Sequence, residues 1–126
     1  FPEEEYQFEV STPELKLNAD RTQIEQILIN LLKNAREACS RKSDKKIQVK
    51  ARKLSAGNTT LTISDNGEGI LPDVLDKIFV PFFTTKTSGS GIGLSLCKQI
   101  MTLHEGSINV KSEVGKGSSF ILTFPK

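Results

Sequence analysis

Asn30 and Asn34 stand one helical turn apart in "QILINLLKNAREA", and side chains at that spacing share a face. At ~100° per residue both fall just outside the apolar stripe that runs from Ile27 round to Leu32. That is the border between core and solvent, where the rim of a pocket would lie. An amide carbonyl is a neutral, hard oxygen ligand, suited to a Mg²⁺ ion shared with phosphate oxygens. Two polar surface positions on an amphipathic helix would look the same. "DNGEGI" (Asp65 to Ile70) follows the β-branched stretch "LTIS" and puts a carboxylate at a strand end, with Gly67 and Gly69 after it. Its composition is that of a turn, and a solvated acidic turn is the plainer reading. "SGSGIGLSL" sets Gly89, Gly91 and Gly93 at alternate positions just before a helix. Glycine lets backbone approach a ligand, and the N–H groups of a helix start favour anions, so these residues make a phosphate cradle or, equally, a flexible hinge. The GxGxG spacing is not the dinucleotide fingerprint, and no GxxxxGK[ST] occurs. "FFTTK" brings Lys86 beside those glycines, a cation for which a phosphate is the obvious partner. Of Phe79, Phe82 and Phe83, at least two read as packing of the loop base onto the core.

These groups need elements to hold them. The strongest helix signal begins after Asp20, an N-cap with Gln23 three residues on, as in a capping box, and runs to about Ser40. Residues 6–10 and 15–18 read as short strands around "STPE". Residues 47–53 and 60–64 alternate and are joined by "SAGN", a hairpin-type turn. "LPDVLDKIF" offers one short helix with Pro72 early, and a second long helix runs from about Ile92 to Leu103. "GSINVKS" and "SSFILTFP" form two strands across a glycine-rich turn. The order predicts a two-layer α/β sandwich, a mixed sheet packed on helices.

The 126 residues fit a single domain, 1–126. A hydrophobic content of 37% with 25% charged residues is that of ordinary globular proteins. Seventeen basic and 15 acidic residues give +2, which offers no reason to expect nucleic acid or an anionic membrane as partner. Cys39 and Cys97 lie in apolar-periodic segments, far apart, and read as buried reduced thiols. The start "FPEEEYQ" is acidic, without the apolar stretch of a signal peptide, and the chain reads as a piece of a longer protein.

"QILINLLKNAREA", "DNGEGI", "FVPFFTTK", "GSGIGLSL" and "GKGSSF" occur in that order. They resemble the N, G1, F, G2 and G3 boxes of the catalytic ATP-binding domain of sensor histidine kinases. That domain belongs to the superfamily shared with type II topoisomerases, heat-shock chaperone ATPases and mismatch-repair ATPases. The resemblance covers roughly residues 15–125 and implies a Bergerat-type fold with ATP between sheet and helices. It implies that Asp65 accepts a hydrogen bond from the exocyclic amine of adenine; a carboxylate accepts but cannot donate, which suits adenine over guanine. It implies that Gly67, Gly69 and Ile70 line the base site, with the glycines leaving room for the base. Asn34 matches the Mg²⁺ ligand, and Asn30 lies at the rim near the phosphates. Lys33 and Lys86 become candidates to neutralise triphosphate charge. Gly89, Ser90, Gly91, Ile92, Gly93 and Leu94 belong to the segment over the phosphates, and Ser119 reaches the adenine side through water.

Hydrolysing relatives carry a glutamate one turn before the metal-binding asparagine, where this chain has Asn30. A neutral amide is no general base. The resemblance therefore implies transfer of the γ-phosphoryl group to another nucleophile, a histidine on a separate dimerisation domain of the same protein, with a response regulator downstream. His104, in "LHEG", reads instead as an electrostatic cap at the end of the second long helix. The alternatives are a serine kinase of the anti-sigma-factor type, or a nucleotide-dependent interaction module without transfer chemistry. A cytoplasmic domain is expected, any inner-membrane anchor of the parent lying upstream.

Overall fold

The computed structural model describes residues 6–10, 19–83 and 93–126. In chain order these form β1 (Tyr6–Val10), α1 (Arg21–Ala38), β2 (Ile47–Lys53), β3 (Thr59–Asp65), α2 (Pro72–Leu75), α3 (Gly93–Leu103), β4 (Ser107–Glu113) and β5 (Gly117–Phe124). The expected strand at 15–18 lies outside the described residues. Every other expected element is present within a few residues of its expected ends.

Asp20 caps α1, its carboxylate accepting the Gln23 N–H at 3.0 Å. The other half of a capping box is replaced: the Asp20 N–H donates to Nε2 of His104, 3.0 Å away at the far end of α3. That nitrogen must carry a lone pair, so the hydrogen sits on Nδ1, which donates to the Ile100 carbonyl at 2.9 Å. His104 thus caps the end of α3, at the place expected of it, and also brackets that end to the start of α1.

The sheet order is β1-β2-β3-β5-β4, with β1 parallel to β2 and every other pair antiparallel. The sandwich and its mixed sheet are as expected. The β2–β3 turn needs Gly57 at φ +98°, with the Leu54 N–H donating to Asn58 at 2.7 Å. In β3, Thr59, Leu61 and Ile63 face the helices; in β5, Ser118, Phe120, Leu122 and Phe124 do so. Alternation of this kind marks a sheet buried on one face. Ile27, Leu31 and Ala35 of α1 and Cys97, Ile100 and Met101 of α3 close the core from the other layer. Both cysteines are buried free thiols, as expected.

α3 stops in a Schellman arrangement, with Gly106 N–H donating to Met101 at 2.9 Å and Glu105 N–H to Thr102 at 3.0 Å. Its left-handed residue is Glu105, at φ +58°. The glycine follows one position later because a Cβ at 106 would stand 2.3 Å from the Thr123 carbonyl oxygen.

Candidate functional site

Asp65 is the last residue of β3, and period-two alternation turns its side chain to the face that carries Leu61 and Ile63. It is half-buried, between the sheet end and the C-terminus of α1. One carboxylate oxygen accepts the Gly67 N–H at 2.9 Å. Burial raises its pKa above the usual carboxylate value, and the N–H groups of Gly67 and Ser118 pull it partly back. A carboxylate so held can accept a further hydrogen bond from a donor entering between the layers.

The turn after Asp65 is built against protein on both sides. A Cβ on Gly67 would lie 2.6 Å from the Ala38 carbonyl oxygen, which also accepts the Glu68 N–H at 3.2 Å. Gly69, at φ +78°, has the Glu113 carbonyl oxygen 2.3 Å from where its Cβ would be. What a Cβ at these glycines would meet is backbone, of α1 in one case and of the β4–β5 hairpin in the other. Ile70 packs on the core, and its N–H donates to Ser112 Oγ at 2.8 Å.

β3 and β5 pair so that Asp65 faces Ser118 and Ser64 faces Ser119. Neighbours on a strand point to opposite faces. Ser119 therefore looks away from the helices and meets Ser64 Oγ at 2.8 Å. The hydroxyl beside Asp65 is that of Ser118, buried and 2.7 Å from Ser112 Oγ. Ser118, which the sequence did not single out, is thus the serine paired with Asp65 on the helix-facing side, and Ser119 lines the open end of the same cleft. Asn66 was also missed. Its amide donates to the Asp44 carbonyl at 2.7 Å and accepts the Lys46 N–H at 2.8 Å, pinning the loop after α1 beside the Asp65 turn. "DNG" is its only trace in the sequence, and there Asn66 reads as a generic turn residue.

On α1, Asn30 and Asn34 are both half-buried on one face, while Lys33 is exposed about 100° round the helix from Asn34. The fold thus brings the two amides together and leaves Lys33 outside their cluster. Asn30 Nδ2 donates to the carbonyl of Gly93, the first residue of α3, at 3.3 Å. Leu94 packs on the core. Lys86, Gly89, Ser90, Gly91 and Ile92 lie outside the described residues. Among the aromatics, Phe79 meets Phe120 edge-on at 6.5 Å under Lys98, as expected of core packing, whereas Phe82 is 73% exposed at φ +68°. Among the described residues no three of His, Cys, Asp and Glu converge as metal ligands. A divalent ion here would be held by amide oxygen, with the remaining positions left for phosphate and water, and that donor set suits Mg²⁺.

Known proteins are similar to this chain in sequence and fold. Residues 19–126 match the model of the family described as histidine kinase-, DNA gyrase B- and HSP90-like ATPase. Sensor histidine kinase ZraS of Salmonella typhimurium is 40% identical over 110 residues, 87% of this chain and 23% of that protein. The signal transduction histidine-protein kinase AtoS of Escherichia coli is 43% identical over 109 residues, 86% of this chain and 18% of its own. The chain thus spans about a fifth of the length of these curated relatives. Among solved structures, the catalytic domain of histidine kinase ThkA superposes with a TM-score of 0.84 at 36% identity, covering 96% of this chain and 79% of that one. ThkA in complex with response regulator protein TrrA gives 0.76 at 33% identity, over 96% and 34%. Among the described residues no helix is long and apolar enough to cross a membrane. The ordered boxes, the inward Asp65 and these likenesses agree: the chain belongs to the histidine kinase-, DNA gyrase B- and HSP90-like ATPase family, as an ATP-binding catalytic domain of the sensor histidine kinase type.

Proposed function

We propose that this domain binds Mg-ATP between its sheet and its helices and donates the γ-phosphoryl group to a histidine on a separate dimerisation domain of the same protein, in the cytoplasm. The observation that carries the reading is Asp65, a half-buried carboxylate on the helix-facing side of β3, beside the helix that bears Asn30 and Asn34. Asp65 accepts the exocyclic amine of adenine. The Asn34 amide oxygen would hold Mg²⁺, which would supply charge neutralisation at the phosphates when bound. The N–H groups at the start of α3 favour the polyphosphate. Lys86 and the run from Gly89 to Ile92 are assigned to the phosphates on their motif alone. Catalysis in such a site is positioning and charge stabilisation.

Transfer is favoured over hydrolysis because the position where a general base would stand holds Asn30, whose amide already bonds to the backbone of α3. The acceptor is sought outside this chain, since both ring nitrogens of His104 are engaged. A downstream response regulator is supported by the likeness to ThkA, solved with TrrA. The test is to incubate the chain with radiolabelled Mg-ATP and the dimerisation domain of its parent. Acid-labile label on that partner, and none on the chain alone, is expected. Acid-stable label would point to a serine kinase, and ATP binding without any transfer to an interaction module.

A further inference from the structure

Asn30 is held at both ends of its amide. Its Nδ2 donates to the Gly93 carbonyl at 3.3 Å and lies 3.8 Å from Cys97 Sγ, one turn further along α3. Its Oδ1 accepts from Gln26 Nε2 at 3.1 Å, one turn back on α1. The two ends of the amide cannot be exchanged. A carbonyl only accepts, so the NH₂ must face Gly93, and the oxygen is left for the donor that Gln26 supplies. His104 ties the far end of α3 to the start of α1 at 3.0 Å, and the Cys97 thiol reaches the Ile27 carbonyl at 4.0 Å; near the first turn of α3 the buried contact is largely apolar, through side chains such as Ile27, Leu31, Cys97 and Ile100. Apolar contact is non-directional: it sets how far apart two helices lie, and sets poorly how one is turned or slid along the other. A hydrogen bond from a part-buried amide to a backbone carbonyl does fix that.

We propose that Asn30 is a positioning residue that seats the first turn of α3 against α1, and that Gln26, exposed one turn back at the edge of the α1–α3 groove, orients it. The proposal rests on the nucleotide reading only for its consequence. With Asn34 on α1 and the N–H groups of α3 addressing one polyphosphate, the Asn30 bond sets the distance between the two. It follows that an acid at position 30 does not turn this chain into a hydrolase. A carboxylate there would face the Gly93 carbonyl and the Cys97 sulfur with no hydrogen to offer, and α3 would come loose before water was activated.

Hydrogen exchange along residues 93–103 of the nucleotide-free chain, and calorimetry with Mg-ADP, test this on four proteins: the natural chain, Asn30→Asp, Gln26→Glu and Gln26→Lys. Loss of one hydrogen bond corresponds to a change of ~2- to 10-fold. Asn30→Asp is expected to speed exchange in the N-terminal half of α3 and weaken Mg-ADP by such a factor, with no gain in ATP hydrolysis. Gln26→Glu, which sets an acceptor against Asn30 Oδ1 without approaching the cleft, shifts both in the same direction by less. Gln26→Lys keeps a donor and leaves both unchanged. Natural exchange in Asn30→Asp would overturn the proposal, and so would Gln26→Lys proving as harmful as Gln26→Glu. Faster exchange in Asn30→Asp while the natural chain itself fails to bind Mg-ADP would support the seating role and overturn the nucleotide reading instead.

Discussion

Replacing Asp65 by Asn separates what this residue does for binding from what it does for folding. The substitution keeps the shape and an oxygen for the Gly67 N–H, now 2.9 Å from the carboxylate. It removes the charge and turns one acceptor into a donor. Facing an adenine amine, that donor leaves a mispaired contact worth ~1–3 kcal/mol, so Mg-ATP should bind roughly 5- to 150-fold more weakly. Stability should move the other way. Burial raises the pKa of Asp65, so the folded chain holds that proton more tightly than the unfolded chain does. The ionised carboxylate is therefore a burden on the fold at neutral pH, and the burden disappears as pH falls through the raised value. The neutral amide lacks it, and the variant should melt at no lower a temperature than the natural chain. Binding by calorimetry and melting by circular dichroism read the two effects. A third reading is the ratio of natural to variant affinity, in which the nucleotide's own protonation cancels. It should shrink as pH is lowered from neutrality, because the natural carboxylate becomes protonated. Unchanged affinity in the variant would remove Asp65 from the base site. A melting temperature several degrees lower would mean that the carboxylate is structural and that lost binding is a by-product of lost folding.

Three further substitutions probe the rest of the site and its support. Asn34→Ala should abolish the preference for Mg-ATP over metal-free ATP while leaving the base contact largely intact; a surviving preference in calorimetry would exclude Asn34 as the ligand. Glu105→Gly relieves a left-handed residue at φ +58°; with ~1–2 kcal/mol of strain set against ~0.4–1 kcal/mol of extra freedom in the unfolded chain, denaturant unfolding should show a gain of between zero and about 1.6 kcal/mol. Gly117→Ala forces a Cβ to within 2.0 Å of the Asp65 carbonyl oxygen at φ +125°; the β3–β5 pairing must shift, so both denaturant stability and nucleotide affinity should fall, and a loss of only one would show the two to be less tightly joined than the structure implies.

The elements were legible in the sequence where their causes are local. Asp20 and Gln23 lie within one turn of each other, and the spacing of Ile27, Leu31 and Ala35 marks a buried stripe whatever it packs on. The boxes likewise announce themselves, because a glycine or an acid at a given offset is visible in a string. Partners distant in the chain were not legible. Which of two adjacent serines accompanies Asp65 depends on the register of β5 against β3, and a slip of one residue exchanges the faces. That is why Ser118 could not be told from Ser119 in the sequence.

What the sequence by itself determined is the helices, the hairpins and the family, since short-range spacing carries each of them. Only the tertiary structure decided that Gly67 yields to the end of α1 and that Asn30 binds a carbonyl 63 residues away. It also decided that the N-cap of α1 is completed by His104 from α3. Each of these depends on where a second backbone segment passes, and a backbone carbonyl or N–H has no letter of its own in the sequence.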